Sequence, residues 1–199
     1  QTLPESVTAG GSGKATAAAD IARLTLGVET EGVATEAARE KNAEAVQAAV
    51  DFLTGMGVAE SDIKTERMYL GEQYDGGYQM STRMTVLVRE VDRAGEAIDG
   101  VVNAGVNSIY DVEYGVADEA ALYEQALENA AADAKESAQK MAEAAGRTLG
   151  DVISVEESSY GGATLVRQQA EDGSFTDATL SAPGDLSVTA EVRVIYELK

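Results

Sequence analysis

Asp118 to Gly146 reads DEAALYEQALENAAADAKESAQKMAEAAG, the longest uninterrupted helix signal in the 199 residues. Asp118 has the side chain of an N-cap, Glu119 places a negative charge in the first turn, and Gly146 is a C-terminal stop. No Gly or Pro lies between them. Leu127, Ala131, Ala134, Ala138, Met141 and Ala145 recur at helical spacing and form one narrow, mostly alanine stripe. Small side chains bury little area but let another backbone come close. The stretch therefore predicts a helix laid against a sheet or a partner helix, and Leu127, Ala131, Ala134, Ala138 and Met141 are candidate contacts with a second copy.

Outward from this helix the chain alternates between strand and helix patterns. Before it, Ile109 to Val116 alternates as a strand with Tyr110, Val112, Tyr114 and Val116 on one face. The two tyrosines on that face suit a pocket or an interface, and still better packing against a helix. After it, Leu149 to Glu157 is a strand, and Asp185 to Lys199 shows Leu186, Val188, Ala190, Val192, Val194, Tyr196 and Leu198 on one side. In the first half, Ala22 to Glu29 is a strand and Thr35 caps a helix to about Thr54 with Ala38, Asn42, Ala45, Val46, Ala49, Val50 and Leu53 as its stripe. Asn42 in that stripe reads as a satisfied buried amide. Ile63 to Tyr74 and Met80 to Arg89 form a hairpin about Asp75-Gly76-Gly77, and a short helix opens at Asp92 and ends at Gly105. Gln1 to Gly13 reads as an extended lead-in. Its Gly10-Gly11-Ser12-Gly13 run lacks the Gly-Lys-Ser/Thr and helix of a phosphate loop, and is expected to be a turn or bulge between strand segments.

The expected fold class is α+β: two β-α-β-β modules, 14–90 and 106–199, joined by a helix over 92–105. Each antiparallel sheet is covered on one face by its helix, because each strand has one apolar side needing cover. Together they make a single domain over 1–199.

Composition narrows the chemistry. Thirty-five acidic residues against 15 basic ones leave a net charge of −20, which repels nucleic acid and anionic membranes. A carboxylate-dense surface with only six lysines is what a salt-rich, halophilic setting favours. Apolar content of 44% suffices for a core, and 5% aromatics means that Val, Leu, Ile, Met and Ala build it. With no Cys and no His, disulfides, thiolate and imidazole chemistry and the usual zinc or copper ligands drop out. No apolar run has the length of a membrane span, so no membrane insertion is expected. The chain begins at Gln1 rather than Met, which fits either a cleaved leader or a boundary of cloning.

Several pieces, in order, carry a family signature: Gly11-Ser12-Gly13, then DIARLTLGVET over 20–30, Ala43 to Leu53, GVAESDIKTERMY over 57–69, NAGVNSI over 103–109, and PGDLSV over 183–188 running on to Leu198. Together they resemble the SIMPL domain family, a family of unknown function that includes bacterial periplasmic and outer-membrane immunogenic proteins. The resemblance implies an exported protein of β-α-β-β units. It also implies assembly, since some members form ring-like or channel-like oligomers and some are linked to oxidative-stress tolerance. No catalytic residues come with it.

No residue set stands out as a catalytic centre, and neither a cofactor nor a resident metal is expected. Carboxylate pairs abound by chance in so acidic a chain, and a working pair needs its pKa values split by burial or a partner. The segment 158–184 is a long Gly/Ser/Asp-rich loop. Its Glu171-Asp172-Gly173-Ser174 with Asp177 lacks calcium-loop spacing, while Tyr160, Leu165, Val166, Arg167 and Phe175 are apolar or amphipathic groups suited to a neighbouring subunit. The expectation is a non-enzymatic, exported homo-oligomer with a structural or stress-protective role. The alternative is a small-ligand or cation-binding module using the 158–184 loop or a sheet/helix pocket, its ligand unidentified.

Overall fold

The computed structural model describes residues 5–74, 76–158 and 185–199. It is α+β as expected, with two antiparallel sheets. In chain order the elements are β1 (Ser6–Ala17), β2 (Ile21–Gly32), α1 (Thr35–Gly55), β3 (Ile63–Glu72), β4 (Tyr78–Val88), α2 (Ala94–Ala104), β5 (Ser108–Gly115), α3 (Glu119–Ala144), β6 (Leu149–Glu157) and β7 (Leu186–Leu198). They fall into two compact units. One holds the described residues before Ala19, from Asp118 to Ser158 and from Asp185 onward; the other holds Ala19–Ala117.

The units divide the chain elsewhere than at 14–90 and 106–199. The first unit is β1-α3-β6-β7 with strand order β1-β7-β6. The second begins β2-α1-β3-β4, ordered β3-β4-β2, with β5 added beyond β2. Both are therefore β-α-β-β, with the fourth strand between the first and third. The first strand of the C-terminal module is β1, not β5, and the second unit is inserted between β1 and α3. The helix expected at 92–105 is α2, and it is no linker: Ala94, Ala97 and Val101 are buried in the core of the second unit.

The Gly10–Gly13 run is the middle of a regular strand, which corrects the turn expected there. β1 pairs with β7 without interruption from Ser6↔Glu197 to Ala17↔Leu186. Gly11 and Gly13 face α3, and a Cβ on either would collide with helix backbone: the Ala130 oxygen and Ala134 nitrogen for Gly11, the Ala126 oxygen and Ala130 nitrogen for Gly13. Gly in a strand marks such close backbone approach. The buried row of α3 is Leu122, Ala126, Ala130, Ala134, Ala138 and Ala142. Steps of four along a helix rise about 6 Å and steps of two along a strand about 6.7 Å, so the two rows of small residues lie nearly in register. Asp118 accepts from the Ala121 amide at 2.9 Å, and Gly146 leaves the helix at φ +69.

β1 is an edge strand, and α3 closes that edge. Ser12 N–H donates to Asp133 Oδ2 at 2.9 Å, and Asn129 Nδ2 donates to the Lys14 carbonyl at 2.9 Å. The other sheet face of this unit points away from α3. On β7 the helix-facing set Leu186, Val188, Ala190, Val192, Val194 and Tyr196 is buried, as the alternation implied.

In the second unit the core is Leu24, Leu26 and Val28 of β2 with Met84, Val86 and Val88 of β4, under Ala49 and Leu53 of α1 and Val101 of α2. Thr35 is the first helical residue rather than a capping side chain; the cap position is Ala34, with no side-chain bond. Asn42 is the satisfied buried amide expected. Its Nδ2 donates to the Val28 and Met80 carbonyls at 2.9 and 3.2 Å, and its Oδ1 accepts from Thr82 at 2.6 Å. At the unit's edge Arg89 grips Asp62 with two bonds of 2.7 and 2.8 Å. The Arg89 hydrogen bond holds the Asp62 carboxyl below its ordinary value of 3.8. Because the folded pKa is depressed, the stabilisation is present above the unfolded value and is lost as pH falls through the folded one. Arg89→Met is thus expected to lower the melting midpoint at pH 7, with the gap to the parent closing below about pH 3.8. A gap that stays constant down to pH 2 would exclude a role for this carboxylate.

Candidate functional site

The outward face of the four-stranded sheet carries the most organised polar cluster in the described residues. It is a row: Arg67 of β3 pairs with Arg83 of β4, and Arg83 pairs with Gly27 of β2. Two bulges frame this row. In β3 the ladder slips between Thr65 and Arg67, leaving Glu66 unmatched. In β5 it slips between the partners of Thr25 and Leu26, leaving Tyr110 unmatched. A bulge re-aims a side chain, and here it turns Tyr110 to the outer face. Val112 and Tyr114 pack against the core instead. The face shared by Tyr110 and Tyr114 in a regular strand is thereby corrected: the bulge between them separates the two rings.

Tyr110 fills the space that Gly27 leaves, where a Cβ would sit 2.6 Å from its ring. Its hydroxyl donates to Glu29 Oε1 at 3.1 Å, and the Arg83 guanidinium lies 4.1 Å from its ring centroid, a cation–π stack. Gln79 Nε2 donates to the other Glu29 oxygen at 3.4 Å. Tyr69 lies over Gly71 in the same way as Tyr110 over Gly27. Ser81 completes the wall of a depression of 360 Å³. Arg83 Nε is buried without a hydrogen-bond partner. Neither Arg67 nor Arg83 is in an ion pair with a described residue.

A second concavity, of 480 Å³, runs between α1 and β3. Val46 and Ala43 of the helix face Met68, Leu70 and Met80 across it. Met68 and Leu70 pair with Thr82 and Met80, so they are on the helix side of the sheet, yet α1 does not reach over them and they stay exposed. The first unit repeats the feature. Val152 and Val155 of β6 pair with Tyr196 and Val194, whose side chains are buried under α3, but are themselves 53% and 61% exposed. Ile153 between them is 46% exposed.

Of the candidate contacts on α3, Ala134 and Ala138 are consumed by packing against the sheet of their own unit. Leu127 is half-buried, and Ala131 and Met141 are exposed. Tyr160, Leu165, Arg167 and Phe175, with the acidic cluster at 171–177, lie outside the described residues. Among the described residues no group of three acidic side chains is placed to hold a metal ion. No described helix is long and apolar enough to cross a membrane. Sequence reasoning did not single out Arg67, Arg83, Gln79 or Glu29. Their signal was available in part: Glu29, Gln79 and Arg83 fall between residues on the helix side of their strands, and arginines on polar strand faces stand out in so acidic a chain.

Comparison with known proteins places this architecture. The chain is 28% identical over 219 residues to the 26 kDa periplasmic immunogenic protein of Brucella melitensis, spanning 100% of this chain and 86% of that protein. It is 29% identical over 207 residues to the uncharacterized protein YggE of Escherichia coli K12, spanning 98% and 84%, and 30% identical over 158 residues to YggE of Edwardsiella ictaluri. The family pattern described as SIMPL, protein of unknown function (DUF541), matches residues 7–196, from within β1 to Tyr196 of β7, and so takes in the glycine strand, the inserted unit and most of the closing strand; the chain belongs to the SIMPL family.

Proposed function

We propose that this is a non-enzymatic, extracytoplasmic protein that acts as an assembly of identical copies in a structural or stress-protective role. The observation that carries the assembly is the asymmetry of the first unit's sheet. One edge, β1, is closed by Asp133 and Asn129 of α3. The other, β6, has Val152, Ile153 and Val155 in water. An apolar edge strand that no other described strand pairs is a template for another chain, and a second copy would bury it. The printed name of the Brucella relative supports the extracytoplasmic location. The link to oxidative stress rests on the family resemblance alone.

Light scattering tests the assembly. The parent is expected at a mass well above the 20.7 kDa of one chain. Val152→Glu with Val155→Glu is expected to return it to one chain without loss of the folded spectrum. A parent of single-chain mass at both low and molar salt would end this proposal.

A second reading is a small-ligand module. What favours it is the groove between α1 and β3, whose walls Val46, Met68 and Leu70 form a sheet/helix pocket of the kind expected. The cation-binding form of this reading depends on the 158–184 loop.

A further inference from the structure

We propose that the outer face of the four-stranded sheet is a binding site for a small organic carboxylate, held between the guanidinium groups of Arg67 and Arg83. The inference does not rest on assembly and goes beyond it.

Three observations carry it. First, Arg67 and Arg83 are direct cross-strand partners, an arrangement in which like charges repel. The chain has 35 acidic residues for 15 basic ones, so an acidic neighbour was available in plenty. The described ion pairs nevertheless go to other arginines and lysines, and among the described residues this pair has none. Second, Arg83 is stacked on an aromatic ring with one donor unpaired. Its guanidinium is stacked 4.1 Å from the Tyr110 ring centroid, and its Nε is sealed from water with no partner. The rest of the guanidinium lines the depression, and there a ligand carboxylate would meet it. Third, the ring under Arg83 is itself positioned by a bulge, by Gly27 and by the Glu29 carboxylate. None of these devices is needed to cover a core, because this face of the sheet is the one turned away from α1.

The charges select the ligand. Two guanidinium groups and the Glu29 carboxylate leave one positive charge in the depression, which suits a monoanion. The planar fork of arginine matches a carboxylate in two-bond geometry. Tyr69 and Tyr110, 56% and 42% exposed, offer ring surface to a flat body attached to it. Glu29 opposes a second negative charge, so a dianion such as phosphate is disfavoured. The overall charge of −20 acts at longer range and is screened beyond about 8 Å at physiological salt.

Benzoate is the probe. In a titration of the full chain at physiological salt, followed by NMR, the Arg83 Nε–H signal is expected to move and saturate. Arg83→Gln and Arg67→Gln are each expected to weaken binding by at least about tenfold, the scale of a lost charged hydrogen bond. Arg83→Lys is expected to leave it weak, since lysine lacks the fork, and Glu29→Gln to tighten it. Melting midpoints of all four variants near that of the parent show that the fold is intact. If the Arg83→Gln protein melts early, Arg67→Gln alone decides, because that side chain is exposed. A shift that never saturates, affinity unchanged in Arg67→Gln, or inorganic phosphate saturating the site where benzoate does not, would each overturn the proposal.

Discussion

Gly13→Ala is expected to destabilise the first unit by at least about 3 kcal/mol, the upper range for overpacking a close-packed interior. In a protein of this length that corresponds to a midpoint lowered by about 6–12 °C. One added methyl group has this effect because it meets backbone, not a side chain that can rotate away. The Cβ would collide with the Ala126 oxygen and the Ala130 nitrogen of α3. Either the helix lifts off the strand or the strand leaves the sheet, and both expose the row from Ala126 to Ala138. Two companions make the test specific. Gly10→Ala, on the opposite face with only the Val192 oxygen at 4.0 Å, is expected to be neutral or slightly stabilising. Gly13→Ala combined with Ala130→Gly is expected to remain destabilised, because the colliding atoms belong to the main chain and a helix glycine adds about 1 kcal/mol of its own. Rescue by the double change would mean that the helix approaches less closely than described.

Asn42→Asp is expected to be the second most damaging change, and more damaging at pH 7 than at pH 4. The amide sits 2% exposed under α1 and meets two carbonyls and one hydroxyl. A carboxylate there turns two attractive contacts, to the Val28 and Met80 carbonyls, into repulsive ones. Burial and those carbonyls favour the protonated acid, so the folded pKa lies above the unfolded one, and the penalty grows as pH rises past the ordinary carboxylate range. Asn42→Ala removes the same bonds without adding charge and is expected to cost about 3 kcal/mol, from a cavity and unpaired buried groups. Thermal melts at the two pH values measure both. Equal midpoints for the Asp variant at pH 4 and pH 7 would show that water reaches the site.

Much of the fold was legible because one-sided patterns identify elements well. The alternation over Leu186 to Tyr196 and the stripe through Ala38, Asn42, Ala49 and Leu53 are buried as read. On α3 the helix and its cap were legible, but the buried row was not. Several alanine rows are compatible with its composition, and only the spacing of Gly11 and Gly13 on the facing strand selects the straight four-step row. That is why Ala131 and Met141 are outside while Ala126 and Ala130 are in. The candidate site was less legible still. Arg67 and Arg83 are sixteen residues apart in the chain, and their adjacency depends on the Glu66 bulge, which leaves no mark in the alternation of β3.

What the amino-acid order determined by itself is the strands and helices from β2 onward, the apolar side of most of them, a recurring β-α-β-β pattern without its true members, and the lack of Cys and His, because these follow from local spacing and residue type. What only the tertiary structure decided is partnership. β1 joins β7 across almost the whole chain, β5 joins β2, and Tyr110 turns outward beneath Arg83. Each outcome depends on which backbone can approach which, and a residue's own neighbours in sequence carry no record of that distance.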